Sequence, residues 1–103
     1  PAEIIGRLEH HGDPDAREAA QTMRARCPLS VAVSHELMGR AAQAPDVAAV
    51  LEMDAVLARH FMEDSDFVEG VRAQLVDKDR APQWRHERLE DVTTAEVLAM
   101  FGE

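Results

Sequence analysis

Apolar positions along the chain recur at helical spacing, and no cluster suggests a buried strand. Ile4, Ile5 and Leu8 form one short stripe; Ala16, Ala19, Ala20 and Met23 form a second, built mostly of methyl groups. Val47, Val50, Leu51, Leu57 and Phe61 mark a longer face, widened by Met53 and Val56. Phe67, Val71 and Leu75 repeat every four residues with Val68 alongside, and Val97, Leu98 and Phe101 follow near the end. β-Branched residues are scattered and helix formers dominate, so the pattern predicts an all-α fold, a small bundle of five or six helices.

Turn chemistry places the boundaries. The first helix is expected over 2–11, where Gly12-Asp13-Pro14 stops it and restarts the chain, with Asp13 as cap and Pro14 at the first helical position. The second runs to Arg26, and Cys27-Pro28 opens a third that reaches Gln43. Ala44-Pro45-Asp46 launches a fourth, ending near Glu63. Asp66, with Glu69 three residues on, forms a capping-box pattern for the fifth. That helix should fray across Asp77-Lys78-Asp79-Arg80, and Pro82 forbids its continuation. The stretch RHERLEDV after Trp84 reads as polar and extended or loosely turned. Thr93 with Glu96 starts a last short helix, and Gly102 ends it as a left-handed cap.

Composition changes the picture in one respect. The 103 residues make one domain at most, and 46% of them are apolar, but only three are Phe, one is Trp and none is Tyr. With so little bulk to fill a thick interior, the chain reads as a helical layer that needs something to lean against. A net charge of −9 disfavours nucleic acid and anionic membrane surfaces, both of which call for clustered Lys and Arg. No apolar run approaches the roughly 20 residues of a membrane span. Pro1-Ala2-Glu3 lacks the basic and apolar regions of a secretory signal, and the single Cys27 permits no internal disulfide. A cytoplasmic location is the expectation that follows.

Candidate chemistry is sparse. His10 and His11 are adjacent, so their rings point to different faces, and His35 with Glu36 shares that defect. His60 and Glu63 have a spacing that lets both touch one ion, yet a metal needs three or four converging ligands. No metal site is expected. Cys27 has no base nearby in sequence and reads as a buried small apolar residue. The five methionines fall at helical positions and read as core filling, Trp84 as a ring packed over the preceding helix. The charges at Glu87-Arg88 and Glu90-Asp91 read as solvated faces.

Three segments carry a family likeness. DFVEGVRAQLVDKDRAPQW at 66–84 resembles the C-terminal signature of the crotonase (enoyl-CoA hydratase/isomerase) superfamily. Its DKDR-A-P-Q-W form looks most like the 3-hydroxyisobutyryl-CoA hydrolase branch, simple hydratases carrying a shorter Glu-Lys-Arg then Pro-x-Phe. Cys27-Pro28-Leu29-Ser30 resembles the family's Ser/Ala-Pro-x-Ser helix start, and Leu51-Glu52-Met53-Asp54 with LARHFMEDSDF its long helix. One departure is Val31-Ala32-Val33, where the family often places a Lys or Arg, so no role for that basic residue carries over.

The resemblance implies that 1–103 is a single helical C-terminal domain or fragment whose N-terminal catalytic core, about 200–250 residues, is absent. Catalytic residues are therefore expected outside it, and acyl-CoA chemistry is not expected of this chain alone. Its expected tasks are packing on the core, closing the acyl pocket and homo-oligomer contacts. No covalently bound cofactor is implied, and the full-length enzyme's substrate is a coenzyme A thioester. The one ligand-binding residue implied is Lys78, whose counterpart reaches coenzyme A phosphates, with Arg80 as helper; a local salt bridge to Asp77 or Asp79 explains Lys78 equally well. The competing reading is an autonomous acidic helical interaction domain with no large apolar face; an independent catalyst ranks last.

Overall fold

Proline and aspartate set the corners of an all-helical chain, described here by a computed structural model covering residues 1–103. Helix α1 spans Ala2–Glu9 and packs on α2, Pro14–Ala25. Between them the Asp13 carboxylate accepts from the Asp15 N–H at 2.9 Å, and Pro14 takes the first helical position, where a missing N–H costs nothing. The adjacent histidines lock this corner: His10 Nδ1 donates to the Gly6 carbonyl (2.8 Å), and His11 Nδ1 accepts from the Asp13 N–H (3.0 Å). Helix α3, Pro28–Gln43, and α4, Val47–Met62, follow, with Asp46 capping α4 through the Ala49 N–H. Helix α5, Ser65–Val71, runs into a π-helical turn at Arg72–Val76. A 3-10 turn at Leu89–Asp91 leads to α6, Thr94–Met100, capped by Thr93 and ended by Gly102 at φ +85°.

Helix α3 is the spine. Leu29 and Val33 pack with Cys27, Leu57 and Met100 in one small core, while Ala32 packs with Ile5, Ala20 and Leu89 in another. Ion pairs tie the periphery: Arg24 of α2 reaches Glu9 of α1 at 3.0 Å and Glu90 at 2.7 Å. Arg40 of α3 holds Glu103 at 2.6 Å and lies 4.1 Å over the Phe101 ring.

The result is a slab. It measures 38 × 36 × 23 Å with a radius of gyration of 14.9 Å, where a compact domain of this length has about 13 Å. Its accessible surface is 7061 Å2, against about 5,800 Å2 for a compact monomer of this mass. Several large apolar side chains lie on that surface. Val47 and Leu51 on α4 are 73% and 60% exposed, and Phe67, Val68, Leu75 and Val76 on α5 and the π turn lie open as well. The four-residue repeat of the fifth helix is real, but most of it faces outward.

Several sequence expectations are corrected. Of the methionines only Met100 is buried; Met38 and Met62 are 74% and 67% exposed, on faces that no other helix of the chain covers. The stretch after Trp84 is not simply polar: Leu89 joins the core, and buried His86 pairs through Nε2 with Glu96. Glu90 bridges Arg24 and Arg88 rather than facing solvent alone. α5 also begins earlier than the capping box suggested, with Asp64 as cap, its carboxylate accepting from the Asp66 N–H.

Candidate functional site

Freed from capping, Asp66 turns inward. It is 4% exposed, and its Oδ1 accepts from the backbone N–H of Arg85 at 2.7 Å. Three residues along the same helix face, Glu69 Oε2 accepts from the Gln83 N–H, also at 2.7 Å. Two carboxylates one turn apart thus hold alternate residues of the extended exit segment. Trp84 lies between them, its ring at 3.4 Å from where a Cβ on Gly70 would stand. The motif at 66–84 is therefore a clamp, closed on itself.

The helix ends at Val76, just ahead of the 77–80 stretch where fraying was expected and short of Pro82. The π turn closes with the Asp77 N–H donating to the Arg72 carbonyl at 2.8 Å. A π turn widens the helix locally. Lys78 and Arg80 then adopt φ +57° and +54°, a conformation non-glycine residues rarely enter, and this terminates the helix. The Arg80 N–H donating to the Ala73 carbonyl and the Ala81 N–H donating to Asp79 Oδ1 hold the loop in place.

Arg72 is the electrostatic centre. Its Nε and Nη2 bind both oxygens of Glu69 at 2.8 and 2.7 Å, and its Nη1 reaches Asp77 and Asp79 at 2.8 and 2.7 Å. The Arg72 guanidinium, then the Gln83 N–H, hold the Glu69 carboxyl down to about 2. The Ala81 N–H, with Arg72 second, lowers Asp79. Lys78 was expected to have a choice between a local salt bridge and a ligand. Both neighbouring aspartates are committed to Arg72 instead. Lys78 and Arg80 are exposed and without ion pairs, so an acidic chain presents two outward cations on one loop.

Beside the clamp, a groove of about 480 Å3 is walled by Phe61, Phe67, Val71 and Trp84, with Cys27 and Asp66 on its polar side. The Cys27 thiol donates to Asp66 Oδ2 at 3.5 Å. Burial foremost pushes its pKa up, which makes it a poor nucleophile. A second, apolar groove of about 780 Å3 lies between α1, α2 and α3, with Ile4, Met23 and Met38 at its walls and His35 at its rim. His60 does not converge with Glu63 on a ligand position; its Nδ1 donates to the Met100 carbonyl at 2.8 Å. Sequence reasoning singled out Lys78 and Arg80 but missed Arg72, although Glu69-x-x-Arg72 is a visible three-residue pairing.

Comparison with known proteins places the fold. The profile of the enoyl-CoA hydratase/isomerase family matches residues 1–101. Among curated proteins, the chain is 37% identical to the mitochondrial 3-hydroxyisobutyryl-CoA hydrolase of Dictyostelium discoideum, over 84% of this chain and 23% of that protein. The Rattus norvegicus counterpart is 34% identical over 96% of this chain and 26% of its own length. The chain thus spans about a quarter of the length of these relatives. Among solved structures, an enoyl-CoA hydratase from Rhodobacter sphaeroides superposes with a TM-score of 0.89 at 35% identity, over 97% of this chain and 30% of that one. A carnitinyl-CoA dehydratase from Mycobacterium thermoresistibile gives 0.88 at 37% identity, over 97% and 28%. The curated relatives are named as mitochondrial, which overturns the cytoplasmic expectation. A lone cysteine speaks against a disulfide framework and does not distinguish one reducing compartment from another. With the family profile running almost end to end and both superpositions covering nearly every residue, this chain belongs to the enoyl-CoA hydratase/isomerase family.

Proposed function

We propose that the chain is the C-terminal helical layer of an acyl-CoA enzyme that hydrolyses 3-hydroxyisobutyryl-CoA. One observation supports this most. The chain matches 3-hydroxyisobutyryl-CoA hydrolases over nearly all of its own length but a quarter of theirs, and it leaves Val47, Leu51, Phe67 and Leu75 uncovered. The remaining core supplies backbone N–H groups for the thioester oxyanion and a carboxylate that assists water. Water adds to the thioester carbonyl, the C–S bond breaks, and coenzyme A leaves as the thiol with a carboxylic acid as co-product. This layer packs on that core through its apolar faces, helps close the acyl pocket and contributes to contacts between copies.

Within the layer, Lys78 meets a coenzyme A phosphate, with Arg80 beside it. Support comes from their exposure, their freedom from ion pairs and their strained backbone, since such conformations persist where the surroundings over-determine them. The autonomous-domain reading predicts no large apolar face, and the open side chains of α4 and α5 weigh against it. Enoyl-CoA hydration is the second reading, favoured by the names of the two superposing structures.

The deciding assay uses the full-length protein that carries this chain. Given 3-hydroxyisobutyryl-CoA, it is expected to release free thiol, with the isolated chain at background. Consumption of an enoyl-CoA without thiol release, and no action on the hydroxyacyl thioester, would replace hydrolysis by hydration.

A further inference from the structure

Resting on the phosphate reading of Lys78, we infer that Arg72 is the positioning residue that keeps this lysine available to an anion. Asp77 and Asp79 flank Lys78 in sequence and are its natural partners. Both are drawn away by a single guanidinium, at 2.8 and 2.7 Å. The π turn makes this reach possible. On an ordinary α-helix a residue five positions along lies about 140° round the axis, whereas a turn closed by i to i+5 bonds brings it back over its starting point. Arg72 and Asp77 are that pair.

Glu69 fixes the other edge of the guanidinium with two parallel hydrogen bonds, and it also holds the Gln83 N–H. Arg72 therefore cannot swing out to solvent without giving up its anchor. Counting the loop's charges, Glu69, Asp77 and Asp79 are set against Arg72, Lys78 and Arg80, so the loop is locally neutral. Remove Arg72 and two carboxylates lose their partner beside Lys78. They then pair with the lysine or repel the incoming phosphate. Arg72 touches no ligand in this scheme; it acts through its neighbours.

The test is made on the full-length protein, comparing coenzyme A thioesters with the matching pantetheine thioesters, which lack the nucleotide phosphates. Arg72→Ala is expected to raise KM for the coenzyme A thioester about fivefold, the size of an exposed ion pair, with kcat unchanged. The pantetheine thioester should be turned over as before. Adding Asp77→Asn and Asp79→Asn to Arg72→Ala should restore KM, because the offending charges are gone. A merely structural arginine predicts the opposite: the triple variant is no better, and both substrates suffer together. Should Arg72→Ala not fold, Arg72→Gln, which keeps a hydrogen-bonding side chain without the charge, is read in the same way. Lys78→Ala separates the two claims. If it leaves the KM for the coenzyme A thioester unchanged, the phosphate reading and this inference both fall. If it raises that KM while the Asn pair fails to rescue Arg72→Ala, the inference alone falls.

Discussion

Asp66 and Arg85, 19 residues apart, are joined by a 2.7 Å hydrogen bond from the Arg85 backbone N–H to a buried carboxylate oxygen. The other oxygen takes the Cys27 thiol at 3.5 Å, so one aspartate pins the exit segment and the start of α3 to α5.

Replacing that carboxylate should loosen both attachments. Asp66→Asn presents an NH2 group to one of the two donors, and we expect a loss of about 1–3 kcal/mol, the cost of an unsatisfied buried partner. Equilibrium denaturation followed by the fluorescence of Trp84 measures it directly. A loss below about 0.5 kcal/mol, the level of an ordinary surface substitution, would show that the clamp is not needed.

Acid should open the same clamp. The Glu69 carboxyl lies near 2 in the folded chain against an ordinary 4.5, held down by Arg72 and then by the Gln83 N–H. Arg24, then Arg88, hold Glu90 near 2 as well. Because the folded values are depressed, their stabilisation is complete above the unfolded value and is lost as pH falls from 4.5 towards 2. Stability measured from pH 7 to 5 should stay level with respect to these groups, then fall. Both remain partly accessible to solvent, so added salt should reduce the change.

Cys27 should be slow towards alkylating reagents. Its burial raises the thiol pKa, and the thiolate is the reacting form. Labelling at pH 8 should run at least about tenfold slower in the native chain than in denaturant. Equal rates would place the thiol outside the core.

Lys78→Gly should part stability from binding. Glycine enters the left-handed region freely, removing a strain of about 1–2 kcal/mol and giving back roughly 0.5–1 kcal/mol in unfolded-state entropy. The variant is expected to be as stable as the parent chain or slightly more so, while the full-length protein carrying it binds coenzyme A more weakly. Loss of stability would mean that the lysine side chain supports the loop itself.

Much of the helical plan was legible in the residues. Asp13, Asp46, Thr93 and Gly102 mark helix ends by hydrogen bonds or φ values that involve only their near neighbours. The shortage of bulky side chains was legible too, and the fold leaves Val47, Leu51 and Leu75 uncovered. The misread residues were decided by long-range packing, or by its absence. Asp66 looked like a cap until Arg85 arrived, and Leu89 looked solvated until Ile5 and Ala32 closed on it; Met38 looked like core, but no other helix covers its face.

Local order was thus set by sequence, because capping, turn geometry and helical period act over a few residues. The tertiary structure decided which charged group pairs with which. Asp77 and Asp79 sit beside Lys78 in the chain, yet they bind Arg72, because the π turn carries the guanidinium to them and Glu69 holds it there. Partner choice among several nearby charges is settled by distance and orientation, and those exist only once the chain has folded.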